Sequence, residues 1–289
     1  MEVLKVKTIY DTLELLKAYP GARVIAGGTD LVPLLKKEIL SLPALIDISD
    51  VPELKAIKLE GDILIIGAGN NHARLACHPL VLTFAPLLAR ACARVGSPQV
   101  RNRGTLGGNL GTASPAGDTL PALVASGAYL YLSRIDGERQ VAAERFFQGP
   151  NITDLQPGEI IKAVAIPARQ YNQTGFYYKV GLRQSMSIAL ASVAGWLAIT
   201  PEGYVEKARI VLGAVGPTIV CVNRCAALLE KSKLDYTIIQ QAAGIVAEEV
   251  YPIDDIRATA AYRRQLAVDL VFKGLVTILK SKGKGAYVH

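Results

Sequence analysis

Two glycine-rich stretches, "VIAGGTDL" at residues 24–31 and "RNRGTLGGNLGTASPAGD" at residues 101–118, constrain this chain more than any other feature. Glycine lacks a Cβ and tolerates positive φ, so consecutive N–H groups in such stretches can converge on an anion that a side chain would keep away. The first stretch reads as a strand that ends in Gly27-Gly28 before a helix, with Thr29 or Asp30 as the N-cap. A helix N-terminus in that position also favours negative charge. The second reads as a long loop, and Thr29, Thr105, Asn109, Thr112 and Ser114 add short hydrogen-bonding side chains around the two stretches. Either stretch alone could be a tight turn. The pair, without a P-loop lysine motif, points to a diphosphate held by backbone amides. A third stretch, "GAGNNH" (67–72), starts like a dinucleotide fingerprint, but His72 replaces the third glycine and no suitably placed carboxylate follows. It reads as the end of a core strand.

Around these stretches, residues 22–28, 44–49, 56–60, 63–69, 128–133 and 158–167 read as strands. A helical stretch from Pro79 to Val95 is broken at Pro86, and "IDGE" closes a hairpin after Ser133. Polar residues 168–175 mark a domain boundary, which divides the chain into 1–170 and 175–289. The second part reads as three antiparallel strands followed by helices near 219–230, 236–249 and 260–280, an α+β pattern.

Composition narrows the function classes. At 51% hydrophobic and 20% charged, the 289 residues suit an ordinary globular core. No apolar run is long enough to span a bilayer, and the charged N-terminus lacks a signal-peptide pattern, so a cytoplasmic protein is expected. The net charge of +7 lies mostly in the second half. Its cations are scattered singly without interleaved aromatics, apart from "KSKGKG" (280–285), so nucleic-acid binding is not expected. Cys77, Cys92, Cys221 and Cys225 are too dispersed for a disulfide framework, and with three histidines they offer no metal site. No nucleophile–base constellation is evident, so no catalytic residue is assigned.

The segments "AGGTDLVPLLK" and "RNRGTLGGNLGTASPAGD" resemble those of the FAD-binding medium subunits of the molybdenum hydroxylase family, of xanthine dehydrogenase and aerobic carbon monoxide dehydrogenase type. The likeness extends to "PGEIIKAVAIP", "YYKVGLRQSMSIALASVAG" and "RATAAYRRQLAVDLV", and so covers nearly the whole chain. The resemblance implies an α+β fold: a two-subdomain FAD-binding domain of the vanillyl-alcohol-oxidase (PCMH) type, then a three-stranded antiparallel sheet with helices.

It also implies FAD as cofactor. Carried over, Val24, Ile25, Ala26, Gly27, Gly28, Thr29, Asp30 and Leu31 cradle the pyrophosphate, and Thr105, Leu106, Gly107, Gly108 and Asn109 close on it. Asp118 accepts hydrogen bonds from ribityl or sugar hydroxyls, or else caps the following helix. Ile161 lines the cleft, Val95 packs against the cofactor, and Lys179 either lies near the flavin or is an ordinary exposed strand lysine. Without cluster motifs or a molybdopterin domain of its own, the chain is expected to work with a large molybdopterin-binding subunit and a small [2Fe–2S] subunit. It would pass electrons to NAD⁺, a quinone or another acceptor. A self-sufficient flavin oxidase and a cofactor-free scaffold are the rival readings.

Overall fold

The computed structural model describes residues 2–168, 173–183 and 188–281. The first layer is a small parallel sheet of β1 (Glu2–Lys5), β2 (Arg23–Ile25) and β3 (Ala44–Asp47), ordered β1-β3-β2. Parallel neighbours require the chain to return to the same end, and α1 (Ile9–Ala18) and α2 (Leu31–Lys36) lie in the connections. Thr8 caps α1 by accepting a hydrogen bond from the Asp11 amide at 3.0 Å.

After β4 (Ile57–Glu60) and β5 (Ile63–Gly67), six short helices follow in succession: α3 (His72–Cys77), α4 (Pro79–Phe84), α5 (Pro86–Arg94), α6 (Pro98–Arg103), α7 (Leu106–Thr112) and α8 (Thr119–Ala125). Proline opens three of them, where its missing N–H would be unsatisfied in any case. The hairpin β6 (Tyr129–Arg134) and β7 (Gly137–Ala142), a short α9 (Ala143–Phe146), the small pair β8 (Phe147–Gly149) and β9 (Ile152–Thr153), and β10 (Ile160–Pro167) complete this part. The second sheet is antiparallel, ordered β4-β5-β10-β6-β7. Leu64, Ile66, Leu130 and Val164 from its strands share one core with Leu75, Leu88, Leu106 and Leu120 from the helices.

The stretch 101–118 is therefore not the long loop its glycines suggest. Ser97 accepts from the Val100 amide and Thr105 from the Gly108 amide, and these two caps start α6 and α7 on either side of Gly104. Packing of Leu106 and Leu110 into the core offsets the poor helix propensity of Gly107, Gly108 and Gly111.

The third sheet runs β11 (Gln173–Gly181), β12 (Ala189–Ile199), β13 (Val205–Gly213) and β14 (Val220–Cys221) in sequence order. It has a fourth strand where three were expected: Val220 and Cys221 pair with Leu212 and Val211. That pairing delays the expected helix at 219–230, which becomes α10 (Asn223–Leu229), followed by α11 (Tyr236–Glu249) and α12 (Ala260–Lys280). One face of the sheet packs on these helices through Phe176, Val193, Ile210, Ile239 and Leu275. Its other face contributes Tyr177, Ala194 and Val211 to the first core, and the Trp196 indole donates to the Ala125 carbonyl of α8 at 2.7 Å. Burial on both sides explains why "ALASVAGWLAI" reads as an almost unbroken apolar run. The expected boundary near residue 170 and most of the "KSKGKG" stretch lie outside the described residues.

Candidate cofactor site

The stretch between β5 and α3, read from sequence as the end of a core strand, is the frame on which the second glycine stretch is built. The Gly107 amide donates to the Ala68 carbonyl (2.8 Å), the Leu106 amide to Asn70 (2.9 Å) and the His72 amide to Gly104 (3.1 Å). The Asn71 side-chain amide donates to the Asn102 carbonyl at 3.0 Å. Gly107 is needed for this fit, since a Cβ there would lie 2.8 Å from the Ala68 Cβ.

The two glycine stretches meet. A Cβ on Gly27 would lie 2.0 Å from the Arg103 carbonyl oxygen, and one on Gly104 would lie 3.3 Å from Thr29 Oγ1. Gly28 sits at φ +70°, where other residues are strained. Asp30 occupies the N-cap position of α2 but makes no capping bond. Its carboxylate instead accepts from the Thr112 hydroxyl at 3.0 Å, which ties the first stretch to the end of α7. Val24 and Ile25 are committed to strand pairing with Ile46 and Asp47. Gly27 to Asp30 thus form the turn into α2, exposed at Thr29 and Asp30, while Thr105 to Asn109 start α7. The Asn109 side-chain oxygen accepts from Thr119 at 2.5 Å, and Ser114 Oγ accepts from the Ala116 amide in a local turn.

The glycines of α7 divide into two kinds. Gly107 is packed against Ala68, just past the end of β5. A Cβ on Gly108 would meet only Thr105 Oγ1 (3.0 Å), and one on Gly111 would meet nothing within 4 Å. These two present bare helix backbone on the side away from the core.

Further along, Asp118 is 7% exposed, at the N-cap position of α8, and its side chain makes no capping bond. Lys179 of β11 places its ammonium 2.6 Å from Asp118 Oδ2 and donates to the Arg94 carbonyl at 3.0 Å. That side chain is only 7% exposed, so it is no ordinary surface lysine. Asp118 Oδ1 is buried with no hydrogen-bond partner. Burial pushes the carboxyl up to about 6, against the opposing pull of Lys179. Tyr177, also on β11, donates from its hydroxyl to the Asp118 main-chain oxygen at 3.0 Å. Beneath lies Cys92, whose thiol burial pushes up, 3.7 Å from His72 Nδ1. Burial, and then Arg101, lowers His72 to about 4, so that imidazole is neutral.

The structure thus places Tyr177 and Cys92 beside Asp118, and the sequence reading missed both. The alternation of a strand could have found Tyr177, since positions i and i+2 share a face. Val95, at the C-terminus of α5, is buried and accepts from Arg101 at 3.1 Å. Ile161 is buried on β10 beside a bulge, and the carbonyl of the next residue, Lys162, accepts from the Ala68 amide at 3.0 Å. A concavity of 660 Å³ along β6 and β7, lined by Tyr129, Gln140 and Glu144 among others, shares no residue with either glycine stretch. Among the described residues no cluster of three metal-ligating side chains occurs, and no helix is long and apolar enough to cross a membrane.

An unpaired buried carboxylate oxygen suits a hydroxyl donor, and bare helix backbone suits a phosphate that must come close. Both fit the cofactor that the resemblance implies.

Comparison with known proteins agrees over nearly the whole length. Residues 1–169 match the family described as the FAD binding domain in molybdopterin dehydrogenase, and residues 176–278 match the CO dehydrogenase flavoprotein C-terminal domain. The glyceraldehyde dehydrogenase medium chain of Sulfolobus acidocaldarius is 31% identical over 271 residues, which cover 93% of this chain and 95% of that protein. The carbon monoxide dehydrogenase medium chain of Hydrogenophaga pseudoflava is 32% identical over 255 residues, 88% of each chain. Among solved structures, carbon monoxide dehydrogenase from Hydrogenophaga pseudoflava superposes with a TM-score of 0.92 at 31% identity, covering 96% of both chains.

Proposed function

The chain belongs to the family of FAD-binding medium subunits of molybdenum hydroxylase-type oxidoreductases, and from that membership we propose that it is an electron-transfer subunit. In this reading electrons arrive from iron–sulfur clusters on a small [2Fe–2S] partner, which is itself supplied by a large molybdopterin-binding partner. They leave for an external acceptor, NAD⁺ or a quinone. The chain would work as two domains that join near residue 170.

Two observations carry the reading: the two glycine stretches meet, and the second ends on a buried carboxylate with one unused oxygen. The residues divide the work. Gly27 to Leu31 and Thr105 to Asn109 bracket the pyrophosphate, with Gly108 and Gly111 keeping the α7 backbone accessible and Val24 to Ala26 leading into the turn. Thr112 holds Asp30 in place, and Ser114 shapes the turn towards Asp118. Asp118 accepts from cofactor hydroxyls, Ile161 and Val95 wall the cleft, and Lys179 supplies positive charge beside Asp118. FAD, when bound, supplies the redox chemistry, while the protein supplies position, burial and local electrostatics.

The test is direct. The purified chain is expected to carry, or take up, FAD that acid precipitation releases in full. It is also expected to show no turnover with purines or aldehydes until a molybdenum subunit and a [2Fe–2S] subunit are added, whereupon substrate bleaches the flavin absorbance. Oxidation of such a substrate by this chain alone, with flavin as its only cofactor, overturns the proposal in favour of a self-sufficient oxidase.

A further inference from the structure

Asp118 is held by a strand that lies outside the FAD-binding half of the chain. Tyr177 and Lys179 occupy alternate positions of β11 and so share one face. The Tyr177 hydroxyl donates to the Asp118 main-chain oxygen (3.0 Å), and the Lys179 ammonium contacts Oδ2 (2.6 Å). A second Lys179 bond, to the Arg94 carbonyl, anchors the ammonium to the end of α5. The peptide and the carboxylate of residue 118 are therefore fixed separately, and Oδ1 remains the carboxylate's free acceptor.

We propose that β11 is a latch for the cofactor carboxylate: Tyr177 is a positioning residue that aims Asp118, and Lys179 is the counter-ion that keeps it ionised. The proposal rests on the reading of Asp118 as a cofactor contact.

Lys179 is the ion-pair partner of Asp118 among the described residues. Among the described residues, the groups that face Asp118 include Tyr177 and Lys179 from β11, and Cys92 and Arg94 from α5. Burial keeps the Tyr177 hydroxyl and the Cys92 thiol protonated. The Arg94 contact is made through its carbonyl, and its guanidinium acts on Tyr177. The Lys179 ammonium is the cation in contact with the carboxylate. An ionised carboxylate offers only acceptors, which suits a cofactor hydroxyl, whereas a protonated one commits an oxygen to donating. Without the ammonium, burial would protonate the group.

The experiment uses the full chain, stripped of FAD and titrated with it by flavin-fluorescence quenching between pH 5 and 8.5. Apo-protein melting is followed in parallel. Wild type is expected to bind more tightly as pH rises through one midpoint. Lys179→Gln, which keeps a donor but removes the charge, should move that midpoint upward and weaken binding at pH 7 by about tenfold. Lys179→Arg should restore it. Tyr177→Phe should leave the midpoint in place and weaken binding about fivefold, the worth of one hydrogen bond. It should cost nothing further in an Asp118→Ala background, or in Asp118→Ser should that variant not fold.

A loss in Lys179→Gln that is equal at every pH overturns the latch, as does a Tyr177→Phe loss that persists without Asp118. Both would mark merely structural roles. A wild-type chain that takes up no FAD overturns the site reading as well.

Discussion

Gly27 and Arg103 meet main chain to main chain: a Cβ built on Gly27 falls 2.0 Å from the Arg103 carbonyl oxygen and 2.6 Å from its carbonyl carbon. No rotamer change relieves contact with backbone, so even the smallest side chain must push the two stretches apart. Gly27→Ala is expected to destabilise the fold by about 3 kcal/mol and to lower the urea midpoint clearly. Gly111→Ala, with nothing within 4 Å of the new Cβ, should gain up to ~1 kcal/mol from helix propensity. Equal midpoints for the two variants would show that the stretches do not pack as described.

Gly108 allows the proposed cofactor contact to be tested apart from folding. A Cβ there meets only the Thr105 hydroxyl, so Gly108→Val should unfold within ~1 kcal/mol of wild type. Its methyl groups would nonetheless stand where the pyrophosphate is proposed to approach α7, so FAD retention should be lost. A folded Gly108→Val protein with wild-type flavin content places the cradle elsewhere.

Asp118 should leave a mark on stability against pH. Well below pH 3.8 its carboxyl is protonated whether the chain is folded or not, and it has no effect. As pH rises from 3.8 to about 6, the unfolded chain ionises first, so this group withdraws stability until the folded-state value is passed. The full effect is on the order of 3 kcal/mol. Carboxylates held low by partners, such as Glu138 and Glu159, slope the other way. The check is therefore the difference between apo wild type and Asp118→Asn in urea melts between pH 4 and 6.5. Wild type should lose stability relative to the variant across that window, and parallel curves would refute the assignment.

The C-terminal layers turn on Phe176 and Gly274. A Cβ on Gly274 of α12 would lie 2.2 to 2.5 Å from three atoms of the fully buried Phe176 ring. Gly274→Ala should cost about 2 kcal/mol by overpacking. Phe176→Leu should cost a similar amount by leaving a gap. Together the two should cost less than their sum, because the added methyl enters the space the ring gives up. Additive losses in thermal melts would mean that helix and ring do not touch.

Much of this architecture could be read along the chain. Proline at Pro79 and Pro86 and apolar periodicity are local properties, and they located α4, α5, the three C-terminal helices and most strands. The paired glycine stretches and the resemblance they carry pointed to the family and its cofactor, because the need to keep side chains away from a close ligand is written directly into residue type.

What the tertiary structure decided depends on contacts between distant residues. Whether 101–118 is loop or helix turns on the burial of Leu106 and Leu110 beside β5. Which glycines serve packing and which leave backbone open turns on contacts such as Gly27 with Arg103 and Gly107 with Ala68, pairs that lie far apart in the chain. That Asp118 pairs with β11 and makes no capping bond to α8 turns on Lys179 and Tyr177, 61 and 59 residues away. Burial of that group, and so its charge, is a property of three layers meeting. A sequence specifies such a meeting without displaying it, because a side chain's partner across a core is chosen by the whole packing and not by its spacing along the chain.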